Sequence, residues 1–407
     1  MTRTAAPRSG GIHVLIAGGG VAALEAALAL HELGDDLFDV ELVAPEHHFF
    51  YRPLAVAVPF DVGRVYRWEL ADLTRRAGAQ FTPAALESLD AQAHVADMGD
   101  GRRIAYDVAI LACGARPETA IAGAFTFRGP ADTEGFRSLV DEVKNGAARR
   151  LVFVVPSGAV WPLPLYELAL MTAHELEESN VSCDVTLVTS EPAPLALFGE
   201  RASEAVSAAL GARGITVRPR TYAREYTGSS LSLTPAGEIE AERVVALPHL
   251  KGPILGGITT DQDRFVPTDE HGRVRGMTDV YAAGDMTTFP IKQGGLAAQQ
   301  ADAVAEAIAA DFGVSAEPKA FRPVLRALLL TGGRPIFLQA ELAGGGGETS
   351  TASDEPLWWP AGKIVGRHLA PFLAGLGVVD APLTLSEDEL LRIEIDAAAA
   401  HELPWRH

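Results

Sequence analysis

The sequence predicts an α/β protein: two units in which short apolar strands alternate with helices around a parallel sheet, then a C-terminal region of α+β character. Three observations carry this. The chain has 407 residues, 48% hydrophobic and 21% charged, an ordinary globular balance with length for about two to three domains. The segment Ile12–Glu46 reads strand, glycine turn, helix, strand, and Leu151–Glu191 repeats that plan. "DVELVAPE" (Asp39–Glu46) and "DVTLVTSE" (Asp184–Glu191) even keep their last acid at the same place. Finally, the alternation stops at Phe321. Apolar strands interleaved with helices imply βαβ crossovers and a sheet buried on both faces.

In chain order, the first unit has strand Ile12–Ala17, turn Gly18–Gly20, helix Val21–Leu33 and strand Asp39–Ala44. The turn interrupts what would otherwise pass for a signal-peptide core, and no small-residue cleavage site follows. Gly101–Pro117 reads as a β-strand pair closing with Val108–Ala112. The second unit has strand Leu151–Val155, turn Pro156–Gly158, helix Leu165–Glu178 and strand Asp184–Thr189. A short strand Val280–Ala283 runs into Gly284-Asp285, and a helix Gly294–Ala310 follows. Beyond Phe321 the pattern suggests two strands across Gly332-Gly333 and a flexible Gly/Ser/Thr loop at "GGGGETSTASDEP". An apolar helix Gly362–Leu376 comes next, then an acidic capping helix Ser386–His407 with Glu387 and Asp388 in its first turn.

Charge narrows the partners. Lys+Arg 34 against Asp+Glu 53 gives −19. Such a surface repels phosphate backbones and anionic headgroups, which are bound through Lys and Arg; no nucleic-acid partner is expected. Two cysteines, Cys113 and Cys183, in unrelated contexts exclude a disulfide framework and a multi-cysteine metal site, and suit the cytoplasm. The histidines show no ligand spacing, so no metal site is expected. No apolar run reaches the roughly 18 residues of a membrane span; a peripheral membrane contact stays open.

Gly18-x-Gly20-x-x-Ala23 directly follows a strand and opens a helix. Gly18 permits the tight turn, Gly20 lets backbone approach a pyrophosphate, and Ala23 allows close helix–strand packing. Val21 and Ala22 offer first-turn N–H groups and the positive helix dipole. The other reading is a purely structural turn. Ala44 stands where an acid often meets the ribose; Glu46, two residues on, either reaches the hydroxyls or is a solvated loop acid.

Together with this motif, "LACGARP" (Leu111–Pro117) and "VYAAGDMTTFPIKQGGLAAQQA" (Val280–Ala301) resemble the FAD-dependent pyridine nucleotide–disulfide oxidoreductase superfamily. The nearest branches are type II NADH:quinone dehydrogenases, sulfide:quinone oxidoreductases and flavocytochrome c sulfide dehydrogenases. "FFYRPL" (Phe49–Leu54) is similar to their segment beside the flavin, and the resemblance covers about residues 12–312. It implies two Rossmann-like dinucleotide-binding domains. One is an FAD domain of 1–118 and 253–318, with an inserted NAD(P)-type domain of 119–252. A C-terminal interface or capping region of 319–407 covers the flavin face or a homodimer contact. It also implies FAD bordered by Glu46, Arg52, Pro53, Cys113 and Gly114, with Gly284 and Asp285 at its ribityl-phosphate end. Asp285 would lie at a strand's carboxyl end, where open α/β sheets bind ligands. The helix through Gly295 and Leu296 would aim its N-terminus at the flavin pyrimidine, favouring the reduced form. Lys292 either adds a charge there or is an ordinary surface lysine.

Departures narrow the reaction. No cysteine pair exists to act as a redox disulfide. Trp161 stands where the sulfide branches carry a loop cysteine; Cys113 replaces the threonine of the usual "ATG" turn and reads as a small buried hydrophobe. In the second unit Pro156 lacks an N–H, Trp161 is bulky, and Pro162 and Pro164 delay the helix, which disfavours NAD(P)H in the usual pose. NAD(P)H is nonetheless the leading donor by family habit. Glu167 resembles the helix glutamate facing the flavin in type II dehydrogenases, a proton relay or else a solvated acid. Gln299 or Gln300 either donates to a quinone carbonyl or belongs to an alanine-rich helix that simply packs on the sheet, and Trp358-Trp359-Pro360 is an interfacial element or core packing. The expected protein is an FAD-dependent oxidoreductase passing electrons from a reduced donor to a small acceptor such as a quinone. The alternatives are a sulfide-dehydrogenase-like flavoprotein with another donor, and a non-catalytic electron-transfer subunit or redox sensor.

Overall fold

The computed structural model describes residues 11–34, 37–314, 317–343 and 346–378. Five parallel strands form the first sheet, in the spatial order Val280–Ala282, Val108–Leu111, Ile12–Ala17, Phe38–Ala44, Gln80–Pro83. Numbered along the chain this is 5-4-1-2-3, the doubly wound order whose ligand crevice opens between strands 1 and 4. Val14 to Ala17 are all buried, as burial on both faces demands. Helix Val21–Gly34 lies against helix Gly294–Asp311, and its alanines at 22, 23, 26 and 27 are nearly inaccessible.

The second sheet is also parallel, in the order Phe125–Thr126, Arg243–Ala246, Arg150–Val155, Asp184–Thr189, Thr216–Arg218. Its strands from residue 150 onward repeat the 4-1-2-3 arrangement, so the sequence repeat is a repeat of topology. Strands Val324–Leu329, Ile336–Ala343 and Gly346–Ser353 then form an antiparallel sheet.

Three local expectations change. Gly101–Pro117 does not hold a mutually paired couple of strands. Arg103–Ala105 pairs antiparallel with Val95–Met98, while Val108–Leu111, buried throughout, enters the parallel sheet. The Gly/Ser/Thr segment supplies the third C-terminal strand instead of a loop. Its Thr-containing half takes an edge position, where one side need not be apolar.

The predicted helix Gly362–Leu376 shrinks to Leu369–Gly375. Residues 361–368 form a strap whose backbone is claimed by side chains of the first unit. Tyr51 Oη accepts the Ile364 N–H at 3.1 Å, and Glu25 accepts those of His368 and Leu369 at 2.8 Å each. Gly366 passes so close to Glu25 that a methyl group there would lie 2.3 Å from its Oε2. Trp358 and Trp359 pack on the core, Trp358 edge-on to Phe337 with Nε1 donating to the Gly362 carbonyl. The predicted helix Ser386–His407 lies outside the described residues.

Candidate active site

The first glycine turn sits at the carboxyl end of Ile12–Ala17, beside that of Val108–Leu111. Gly18 has φ +134°, and a methyl group on it would meet the Ala112 carbonyl oxygen at 2.1 Å; only glycine fits. Gly20 is the opposite case: a methyl group there meets nothing within 4 Å. The protein leaves that space open at the start of a helix. Gly114, φ +70°, faces similar open space, and Ala23 is fully buried against the sheet. Val21 and Ala22 begin the helix, and Gly284 (φ +78°) approaches so closely that a methyl group on it would be 3.1 Å from the Ala22 Cβ. A turn free of side chains, aimed along a helix axis into open space, fits the diphosphate of FAD.

Around this cradle, Glu46 is exposed just past the second strand. Cys113 corrects its expectation: the residue is exposed. Its Sγ turns toward the Ala17 carbonyl at 3.3 Å, and packing around the sulfur pushes the thiol up to about 12. Cys183 is half-buried against the second unit's core.

A cavity of about 270 Å³ opens where the two sheets and the C-terminal region meet. Arg52, Pro53, Asp285, Lys292 and Gln293 line it from the first unit, Trp161 and Glu167 from the second, and Lys363 from the strap. Lys292 is no surface lysine. It is 5% exposed, its Nζ lies 4.0 Å over the Phe265 ring, and it donates to the carbonyls of Thr287 and Phe289. Burial lowers its ammonium to about 8, against the pull of Asp285 and Asp261. Desolvation raises the Asp285 carboxyl, with the charges of Lys292 and Arg52 opposing.

Glu167 is not a solvated acid either: it is 1% exposed and ion-paired to Lys363, and it accepts the Leu330 N–H at 2.9 Å. Desolvation raises its carboxyl more than Lys363 lowers it. Helix Gly294–Asp311 points its start toward the cavity through Gly294. The Leu296 N–H, expected to face the cofactor, is instead taken by Gln293 Oε1 at 2.8 Å, and Gly295 packs behind.

Residues 12–307 match the family described as "Pyridine nucleotide-disulphide oxidoreductase". The chain belongs to this family. It is therefore an FAD-dependent oxidoreductase. Oxidoreductase ptaL of Pestalotiopsis fici is 25% identical over 305 residues, covering 68% of this chain and 77% of that protein. The sulfide-quinone reductase of Aquifex aeolicus is 26% identical over 199 residues, covering 44% and 43%. The solved sulfide:quinone oxidoreductase from Aquifex aeolicus superposes with a TM-score of 0.77 at 20% identity, covering 84% of this chain and 87% of that one. NDH2 from Plasmodium falciparum gives 0.56 at 15%, covering 68% and 64%. At those identities the superpositions speak for the fold.

The second unit's strand end and helix start are built differently from the first unit's. Pro156 ends the strand Arg150–Val155, Pro162 and Pro164 flank the start of helix Leu163–Glu178, and the Leu165 N–H is held by the Pro162 carbonyl. Gln299 and Gln300 are likewise engaged by the protein: Gln299 exchanges hydrogen bonds with the Val324 backbone, and Gln300 accepts the Gly284 N–H at 2.7 Å. Neither lines the cavity, which corrects the expectation that one meets a quinone.

Sequence reasoning missed Lys363 as a partner for Glu167; the signal was a lone lysine in the apolar run 357–376. It also missed the cluster of Glu25, Asp302 and His368, whose ligand atoms lie within 4.8 Å of one another. Nothing marked it, since Glu25 sits among the alanines of the first helix.

Proposed function

We propose that this enzyme takes an electron pair from a reduced organic donor and hands it to a quinone, without a redox disulfide. The cofactor, when bound, supplies the two-electron relay between them. Gly18, Gly20, Gly114 and the first-turn N–H groups of Val21 and Ala22 hold its diphosphate, with Glu46 and Arg52 at the rim. Asp285 and Lys292 set opposite charges beside the cavity, and the Lys292 ammonium favours negative charge developing there. Glu167 carries the proton at Oε2, since Oε1 already accepts from the Leu330 N–H and the Lys363 ammonium. Burial favours its neutral form more than Lys363 favours its charged form, which suits a carboxyl that gives and regains a proton.

The observation that carries this reading is the Glu167–Lys363 pair, nearly inaccessible to solvent yet lining the same cavity as Asp285 and Lys292. No cysteine lines that cavity, which favours a quinone acceptor over sulfur transfer. The family habit points to NAD(P)H as donor, whereas the second unit's residues support a donor without a diphosphate.

The test is anaerobic. Purified yellow protein reduced with dithionite, freed of excess reductant and mixed with menadione should regain its oxidised spectrum within seconds; Glu167→Gln should slow that return by about 10²-fold or more. Colourless protein, or reduced protein indifferent to menadione, overturns the proposal.

A further inference from the structure

We propose that the crevice of the second parallel sheet, although built in the form of a dinucleotide site, does not take NAD(P)H and serves instead as an apolar wall for an uncharged, ring-bearing ligand of the quinone or hydroquinone type. This rests on the reading of the cavity as the flavin active site and names what enters it from the second unit.

The first unit is the reference within the same molecule. Its crevice keeps the two things a diphosphate nucleoside needs: a glycine with open space before it, and an acid past the second strand that is free to meet a ribose. In the second unit Gly158 also has open space before it; what differs is the acid and the donors at the helix start. The turn runs Pro156, Ser157, Gly158, and the Ser157 carbonyl is taken by His249 Nε2 at 2.9 Å. At the helix start Pro162 and Pro164 have no N–H, and that of Leu165 is engaged internally. A helix N-terminus binds phosphate through free N–H groups, and these three positions offer none.

Glu191 is the counterpart of Glu46 in the repeat. Where Glu46 is exposed, Glu191 Oε2 accepts from Tyr166 Oη at 2.7 Å and from Thr189 Oγ1 at 2.9 Å. Its carboxyl is desolvated enough to be raised. The acid that would read a ribose has become an internal bond between the helix and the strand end.

Cations do not rescue a diphosphate. Arg128, at the cavity's second-unit side, donates to the Thr126 carbonyl and Thr119 Oγ1, each at 3.0 Å, with Asp132 beside it. Lys363 is held by Glu167. An anion entering at this side would have to displace these internal partners of Arg128 and Lys363.

What the crevice does present is apolar. Leu247 and Pro248 extend the fourth strand, and Trp161, packed on Phe198 with ring centroids 6.0 Å apart, faces them with Phe127 and Leu163. A rigid indole held from behind and open to a cavity suits stacking on a flat ring. Prolines at the helix start and a tryptophan beside them thus exchange phosphate recognition for ring recognition.

The test uses the holoenzyme and reads binding, not turnover. ADP-ribose, which carries the diphosphate and both riboses but no redox centre, is titrated by calorimetry alongside menadione. Menadione is expected to saturate, Trp161→Ala to weaken it about tenfold, and Leu247→Ala to act in the same direction. ADP-ribose is expected not to saturate up to the millimolar range. Saturation by ADP-ribose at or below about 100 µM overturns the inference, as does menadione binding that is unchanged in both variants. Flavin content and melting curves show that each variant is folded. A colourless preparation would defeat the flavin reading and still leave the ADP-ribose arm readable, so the two failures are distinguishable.

Discussion

Gly18 and Gly20 stand two residues apart in one motif, and the structure gives them opposite reasons to be glycine, which a pair of substitutions separates. In Gly20→Val the new side chain enters space where nothing of the protein lies within 4 Å. The backbone there has no left-handed strain, and the Gly20 carbonyl still accepts the Leu24 N–H at 3.1 Å. The apoprotein should therefore melt close to wild type, within about 1 kcal/mol. FAD would lose more. The valine stands between the diphosphate and the helix N–H groups, and losing two charge-assisted hydrogen bonds at about 1.5–3 kcal/mol each is about 3–6 kcal/mol, or roughly 10²- to 10⁴-fold in affinity. Gly18→Ala reverses the pattern. Its methyl group meets the Ala112 oxygen at 2.1 Å with φ at +134°, so the fold itself is destabilised by about 1–3 kcal/mol or more. The assay is the visible-to-ultraviolet absorbance ratio after gel filtration, with melting temperatures recorded with and without added FAD. Gly20→Val emerging yellow at wild-type stoichiometry would refute the cradle. So would an apoprotein destabilised as much as Gly18→Ala, which would make Gly20 a turn residue and nothing more.

Three further outcomes follow from the buried charges. Glu167→Leu or Lys363→Met alone leaves the partner's charge unpaired at 5% exposure or less and should cost about 3–5 kcal/mol in urea unfolding, while the double change recovers most of it; single costs below about 1 kcal/mol would contradict the buried pair. Lys292 titrates near 8 in the folded protein and at its ordinary 10.5 when unfolded. The unfolded chain thus binds one more proton across that window and stability rises with pH through it; Lys292→Met should abolish this rise, seen by comparing urea midpoints at both ends of the window. Glu25→Gln exchanges one of the two oxygens that accept strap N–H groups for a donor. It should cost about 1–3 kcal/mol and expose residues 361–368 to limited proteolysis, and unchanged resistance there would show that the strap is held by other contacts.

How far the sequence could be read depended on how local the cause was. The strand Ile12–Ala17, the turn after it and the helix from Val21 are determined within a few residues, by an apolar run, by glycines with no Cβ and by alanines that let a helix approach a sheet. All of this is visible in the letters. "DVTLVTSE" was legible as a copy of "DVELVAPE", but not the fate of its acid, because Glu191 depends on Tyr166, 25 positions earlier and on another element. Glu167 and Lys363 are 196 residues apart, and nothing local says that each buries the other. The helix predicted over Gly362–Leu376 failed for the same reason. Its apolar content was real, yet Glu25 and Tyr51 claimed the backbone donors from across the fold. The Gly/Ser/Thr segment erred the other way, since an edge strand asks little of its own residues once Ile336–Ala343 offers it a ladder.

The second unit has kept its architecture while changing its crevice, and the packing accounts for that. One continuous core runs from Phe127 and Phe136 through Phe153, Leu168 and Leu187 to Leu325, Leu328 and Phe337 of the C-terminal sheet. The C-terminal strands thus pack onto the second unit through its helices Leu163–Glu178 and Glu200–Ala212. Pro156 and Trp161, past the strand end, sit at the edge of that core, Trp161 packed against Phe198 with its other face on the cavity. A dinucleotide crevice sits at strand ends because the sheet interior is already filled, so recognition can change there at little cost to folding. The first unit lacks this freedom. Its Gly18 is fixed by the Ala112 carbonyl and its Gly284 by Ala22, so the residues shaping the cradle are the ones that let the backbone pass. On the reading proposed above, that asymmetry assigns cofactor retention to the first unit and the choice of substrate to the second.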